Sequence, residues 1–344
     1  MAQTDMAGAS DDETRNRMAH AADPQIADPH DTDPHGADPH GALRRRLPHV
    51  VTLPEAVGCG IIVNLSQAPV AGLRSNLADL VHDFEQAFSR FRPDSTLSQA
   101  ARPFSPGEGP RRLHFPFHAD AMFSICDALA ARTHGAFDPC VGESLVRLGY
   151  GYAFETSGAK DAAASPRWGM DVIHEGDELV IRRPAKLDFG AVGKGFLVDL
   201  LAERIRSLIP ACEMTINAGG DLFTTVALTI ALEDPDDPTR AVGVARIEGG
   251  AFCASSPSRR RWTAADGLTP VHHLLDAITG RPVRDVVASW TYVAPGQTMY
   301  PTAWADAQST AAFTGLDNGF PFARLRADHR MEATPTFPAR FFTS

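Results

Sequence analysis

The segment Leu187-Asp-Phe-Gly-Ala-Val-Gly-Lys-Gly-Phe-Leu-Val-Asp199 constrains this chain more than any other. Gly190, Gly193 and Gly195 lead from a strand end into a helix expected over 194–208. That helix presents Phe196, Leu197, Leu200, Leu201, Ile205 and Leu208 for burial, and Pro210 stops it. Main-chain N–H groups at a helix start favour an anion, and Lys194 adds a mobile positive charge there. An ordinary glycine-rich strand-to-helix turn looks the same. The segment is not a P-loop, because GxxxxGK[ST] is absent.

Two further helices are expected. Leu73, Leu77, Leu80, Val81, Phe84 and Phe88 follow a 3.6-residue period, which predicts an amphipathic helix over 73–90. Another covers 119–133 and is ended by Gly135. Strands are expected at 60–65, 179–182, 225–232, 242–248 and 286–293, and a surface loop at 156–168. The elements do not alternate strictly as βαβ, so the expected class is α+β. The scattered five cysteines contain no CxxC pair, which points to reduced, buried thiols rather than a zinc site or a disulfide framework.

Residues 1–46 read as a disordered tail ahead of one folded domain at 47–344. Asp-Pro recurs every five residues from Asp23, with His30, His35 and His40 in step, and little there can be buried. The repeat suits a solvated extension, with a metal-binding tail as the alternative. The tail holds nine acids against five arginines within a formal net charge of −10, so no basic face is offered to nucleic acid. No stretch reaches the roughly 20 apolar residues of a membrane span, and the first residues lack an apolar signal region. A cytoplasmic location is therefore expected.

Three other stretches carry chemistry. Thr133–Gly151 sets four glycines around Asp138-Pro139, a loop whose backbone can approach a flat or phosphorylated ligand. In Trp304–Phe313, Asp306 and Thr310 are four apart and share one face of a helix, a pairing of oxygens that suits a hard cation such as Mg²⁺. In Val271–Val283, His273 and Asp276 precede a Thr-Gly turn, and a histidine can accept a proton near neutral pH. Each pattern also occurs for purely structural reasons.

Together, and in order, these segments resemble the ApbE family of FAD:protein FMN transferases. FSRFRPDSTLSQ, GAFDPCVG, LDFGAVGKGF, INAGGDLF, HLLDAITGRPV and ADAQSTAAF each resemble a family segment, over about residues 48–320. The resemblance implies a T-fold-related α+β architecture of mixed and antiparallel sheets packed with helices. It implies Mg²⁺-dependent cleavage of FAD, transfer of FMN to a Ser or Thr of an acceptor flavoprotein bearing a flavinylation motif, and release of AMP. An FAD pyrophosphatase or a non-catalytic FAD-binding protein on the same fold are the alternatives. Carried over by position, Asp306, Thr310 and the Ala191 carbonyl hold the metal, and Asp188 and Lys194 contact FAD. Val57, Phe91, Ala136, Phe137 and Asp138 border the flavin, and His273 helps deprotonate the acceptor. Phe91 stands where the family usually has tyrosine. The chain departs from the family at Val57-Gly58-Cys59 (for MGT), Ala277 (for proline) and Ser255–Arg261, a basic loop in place of SGdyer. The basic loop could meet phosphate or an acidic acceptor.

Overall fold

A computed structural model describes residues 39–150, 165–258, 260–264 and 268–342. In chain order, α1 (Pro39–Arg46) leads into the hairpin β1 (His49–Ala56) and β2 (Cys59–Leu65), followed by α2 (Leu73–Phe88). Then come β3 (Arg111–His114), α3 (Asp120–Arg132), α4 (Gly142–Arg147), β4 (Val172–Glu175) and β5 (Glu178–Ile181). The helix α5 (Gly193–Leu208) precedes β6 (Met214–Ala218), β7 (Asp221–Thr224), β8 (Leu228–Glu233), β9 (Ala241–Ile247) and β10 (Gly250–Ser255). Two short hairpins follow, β11 (Arg261–Thr263) with β12 (Pro270–His272), and β13 (Leu275–Asp276) with β14 (Arg281–Pro282). The chain ends through β15 (Val286–Val293), α6 (Pro301–Ala311), β16 (Phe322–Arg326), β17 (Met331–Ala333) and β18 (Ala339–Phe341).

Eight strands form one sheet in the order β1-β2-β6-β7-β10-β15-β16-β17, with every neighbouring pair antiparallel. The expected α+β class is therefore what the chain adopts. On one face, β1, β2 and β6 pack Val63, Leu65, Met214 and Ile216 against the apolar stripe of α2 and against α3 and α5. Phe196 of α5 ties three helices together, with its ring 6.4 Å from Phe84 of α2 and 5.1 Å from Tyr300 at the start of α6. Each such fully buried ring contributes about 2 kcal/mol of burial free energy. The opposite face of the sheet's second half buries Phe252, Trp290 and Leu325 against Leu232, Ala245 and Ile247 of the small sheet β18-β9-β8.

The period-2 alternation of strands decides where α6 sits. In β10, Phe252 points to the small sheet while Ala251, Cys253 and Ser255 point to α6. In β15, Ser289 and Val293 share that second face. These small side chains meet Ala305 and Ser309, so α6 lies close against the sheet.

Several expectations are corrected. Residues 225–232 are not one strand: the chain turns between β7 and β8, where Thr224 Oγ1 accepts from Val226 N–H at 3.1 Å. The segment INAGGDLF forms a hairpin, with Gly219 and Gly220 at φ +66 and +111° making its two-residue turn. Leu208 is exposed, because α5 ends there as it leaves the core. The last eight residues of the expected disordered stretch, Pro39–Arg46, are helical, and Arg46 pairs with Glu213 at 2.6 Å. The Asp-Pro-His repeat up to residue 38 and most of the expected 156–168 loop lie outside the described residues, though Trp168 is buried. All described cysteines are free, four buried and Cys59 half-buried. Among the described residues, no helix is long and apolar enough to cross a membrane.

Candidate active site

The site is assembled where α5 and α6 cross. A Cβ added to Gly195 would lie 2.3 Å from the Thr302 carbonyl oxygen and 2.8 Å from Asp306 Cβ, so the helices touch backbone to backbone there. That contact lets Gly195 N–H donate to Asp306 Oδ2 at 3.0 Å. One residue earlier, Lys194 Nζ donates to Asp221 of β7 and reaches both Asp306 oxygens at 3.3 Å. Asp221 and Asp306 are 1% and 2% exposed, so two carboxylates face one ammonium out of water.

The electrostatics follow from that count. Burial pushes the Asp306 carboxyl up, Asp221 pushes it further, and Lys194 and the Gly195 amide pull it back only in part. Burial works against the Lys194 ammonium, but Asp221 and Asp306 outweigh it and hold its pKa above the usual lysine range. With every group ionised the cluster carries one negative charge in excess, which a cation at Asp306 would offset. Thr310, one turn further along α6, brings its hydroxyl within 3.2 Å of Ser255 Oγ. Among the described residues no three His, Cys, Asp or Glu side chains converge on a metal position. One carboxylate with neutral oxygens is nevertheless a donor set Mg²⁺ accepts, since it keeps waters and binds substrate phosphates. Asp306, Thr310 and the Ala191 carbonyl, in the loop before α5, fit that chemistry.

Asp199, one turn beyond Gly195, secures the other end of the crossing. Its carboxylate accepts from Thr302 N–H at 3.0 Å and Ala303 N–H at 2.9 Å, capping α6 from a neighbouring helix. Burial pushes its pKa up to about 7 against the pull of those amides. The folded protein thus holds this proton over a window, from roughly the unfolded value of 3.9 to about 7, in which the unfolded chain releases it. Stability conferred through Asp199 falls as pH rises across that window and is level above it. Asp199→Asn removes the effect: the variant's melting temperature, relative to the parent, should climb between pH 4 and pH 7. A difference that stays flat would show that Asp199 ionises in the fold as easily as in the unfolded chain.

His273 lies opposite Arg260, one pair beyond the Arg261↔His272 register of β11 and β12. One ring N–H donates to the Arg260 carbonyl, while Nδ1 is buried without a hydrogen-bond partner. Nδ1 therefore keeps a free lone pair. Burial lowers the His273 pKa to about 3, helped by the charges of Arg260, His272 and Lys194, so the ring is neutral near pH 7.

The remaining predicted residues form the surrounding walls. Asp188 pairs with Arg90 and accepts from Gly190 N–H at 2.7 Å, shaping the loop that enters α5. The Arg90 guanidinium lies 4.1 Å from the centre of the half-exposed Phe91 ring and 4.9 Å from that of Tyr150. Tyr150 stacks on Trp262 at 5.0 Å, giving a shelf of three rings from distant segments. The Ala136 carbonyl accepts from Ala277 N–H at 3.0 Å and so joins its loop to the His273 segment. Phe137 is buried in the main core. Asp138 caps the turn that follows it, accepting from Cys140 N–H at 2.7 Å and Trp168 N–H at 3.1 Å; the structure gives its carboxylate this supporting contact. Val57 holds a left-handed φ of +46°, with its N–H donating to Glu85 at 2.8 Å.

The structure thus brings Lys194 and Asp306 together, sets Thr310 beside them, and leaves Phe137 and Asp138 in supporting positions. It adds Asp221, Asp199, Cys59, Tyr150 and Trp262, which the sequence reading does not nominate. Asp199 carries a legible signal as a lone acid on an apolar helix face. Asp221 follows the Gly-Gly turn, but its partner is nonlocal. Cys59 abuts Gly219, whose added Cβ would come within 3.1 Å of the Cys59 sulfur.

Comparisons with known proteins show the family and the fold. A family model described as "ApbE family" matches residues 57–334. The FAD:protein FMN transferase of Klebsiella pneumoniae is 24% identical over 250 residues, covering 68% of this chain and 70% of that protein. The one from Rhodobacter capsulatus is 27% identical over 235 residues, covering 62% of this chain and 43% of its own length. Among solved structures, the ApbE protein of Thermotoga maritima superposes with a TM-score of 0.70 at 19% identity, covering 84% of this chain and 98% of that one. The flavin transferase ApbE of Vibrio cholerae gives 0.66 at 20% identity, with 84% and 97% covered. At these identities the structural likeness shows the fold.

Proposed function

Since the chain belongs to the ApbE family, we propose that it is an Mg²⁺-dependent FAD:protein FMN transferase. It cleaves the FAD diphosphate, joins the FMN phosphorus to a Ser or Thr oxygen of an acceptor flavoprotein, and releases AMP. The observation that carries this reading is the meeting of Lys194 and Asp306, drawn from two separate segments, in one buried cluster with Asp221.

The chain's own groups divide the work. His273 Nδ1 accepts the hydroxyl proton of the acceptor as its oxygen attacks phosphorus and the bond to AMP breaks. The same cations that lower the His273 pKa are offset when an anionic diphosphate arrives, so the ring becomes more basic in the complex. Lys194 and the amides at the start of α5 offset charge that builds on the phosphoryl oxygens and on departing AMP. Asp306, Thr310 and the Ala191 carbonyl would hold Mg²⁺, which supplies charge neutralisation of the diphosphate when bound. Tyr150 stacked on Trp262, with Phe91 edge-on beside them, offers an aromatic wall for a ring system.

The test separates three outcomes. Incubation with FAD, Mg²⁺ and candidate flavoproteins should give AMP and flavin-labelled protein, both stopped by chelator. AMP with free FMN would instead mark a hydrolase, and intact FAD a binding protein. His273→Ala should slow transfer by roughly 10²- to 10⁴-fold, the range of a general base, with the dissociation constant for FAD nearly unchanged. Wild-type turnover in that variant would remove His273 from the chemistry.

A further inference from the structure

We propose that Arg260 is a diphosphate-binding residue, its guanidinium placed to hold FAD between the aromatic shelf and Lys194. The proposal rests on the transferase reading and adds a residue to it. Among the described residues, Lys194, Arg90 and Arg260 border the site, and the first two are already engaged: Lys194 with Asp221 and Asp306, Arg90 with Asp188. Among the described residues, no carboxylate pairs with Arg260. Its Nη1 instead donates to the Tyr150 hydroxyl at 3.3 Å, a long and uncharged contact.

Position supports the assignment from two sides. Tyr150 belongs to the ring shelf, so its hydroxyl brings the guanidinium to the shelf's edge. Across the β11–β12 ladder Arg260 stands opposite His273, whose ring donates to its carbonyl. Its charge is also felt at Cys59, Lys194 and His273. One planar fork of donors thus lies at the edge of a surface for rings and beside the His273 segment. Guanidinium binds phosphate oxygens in pairs, which a hydroxyl partner does not prevent. The residue sits in the run Arg259-Arg260-Arg261, where the chain departs from the family pattern.

The test measures KM for FAD and competitive inhibition by inorganic pyrophosphate at fixed free Mg²⁺, for wild type, Arg260→Gln and Arg260→Lys. Arg260→Gln should raise both KM and the pyrophosphate inhibition constant at least about tenfold, the size of one charge-assisted contact. Arg260→Lys, which keeps the charge but not the fork, should fall between. An unchanged pyrophosphate constant in Arg260→Gln would overturn the proposal, whatever happens to KM. Wild-type protein that leaves FAD intact would sink the transferase reading first, before any variant is compared.

Discussion

Asp306→Asn is expected to lower FMN transfer by about 10³-fold or more, the several kcal/mol that a metal-held phosphoryl charge contributes, without loss of stability. The two halves of that result have one cause. Burial and Asp221 both penalise the Asp306 charge, so the folded protein gains nothing from keeping it there. Asparagine can still accept from Gly195 N–H, the contact that aspartate makes at 3.0 Å. The variant should therefore melt at or above the parental temperature while turnover collapses. A group kept at a cost to the fold is a mark of function. Parental turnover in the variant at saturating Mg²⁺ would remove Asp306 from the site.

Gly195→Ala should be damaging to both fold and site. Its Cβ would meet the Thr302 carbonyl oxygen at 2.3 Å and carbon at 2.6 Å, atoms of a helix backbone that cannot rotate away. The helices must part, at a cost of about 3 kcal/mol, or a fall in melting temperature on the order of 6 °C or more. Parting them also separates Lys194 from Asp306, so activity should fall with stability. Gly193→Ala is the control, because the atoms its Cβ would meet stand at ordinary contact distances of 3.7 and 3.8 Å. Equal behaviour of the two variants would show that the crossing tolerates side chains and that Gly195 does not set the site.

That pair also shows what could be read from sequence. Both glycines look alike in Gly193-Lys194-Gly195, and only the crossing with α6 tells them apart. The helices were legible because α2 keeps a periodic apolar stripe and Pro210 follows α5. Lys194, Asp306, Thr310 and His273 were nominated through the family resemblance. The role of Asp221 was not, because its partner Lys194 stands 27 residues away. Nor was the ring shelf, which joins Phe91, Tyr150 and Trp262 from three separate segments. Asp138 shows the same limit: an Asp before Pro in a glycine-rich loop suits a ligand contact and a turn cap equally, and only the structure shows the cap.

The central claim is transfer of FMN to protein, and intact mass spectrometry of an acceptor flavoprotein tests it most directly. After incubation with this protein, FAD and Mg²⁺, the acceptor should gain the mass of one FMN less water, with AMP released in equal amount. The gain should vanish when the acceptor Ser or Thr is replaced by Ala. An acceptor of unchanged mass beside AMP and free FMN, or beside intact FAD, would contradict the account.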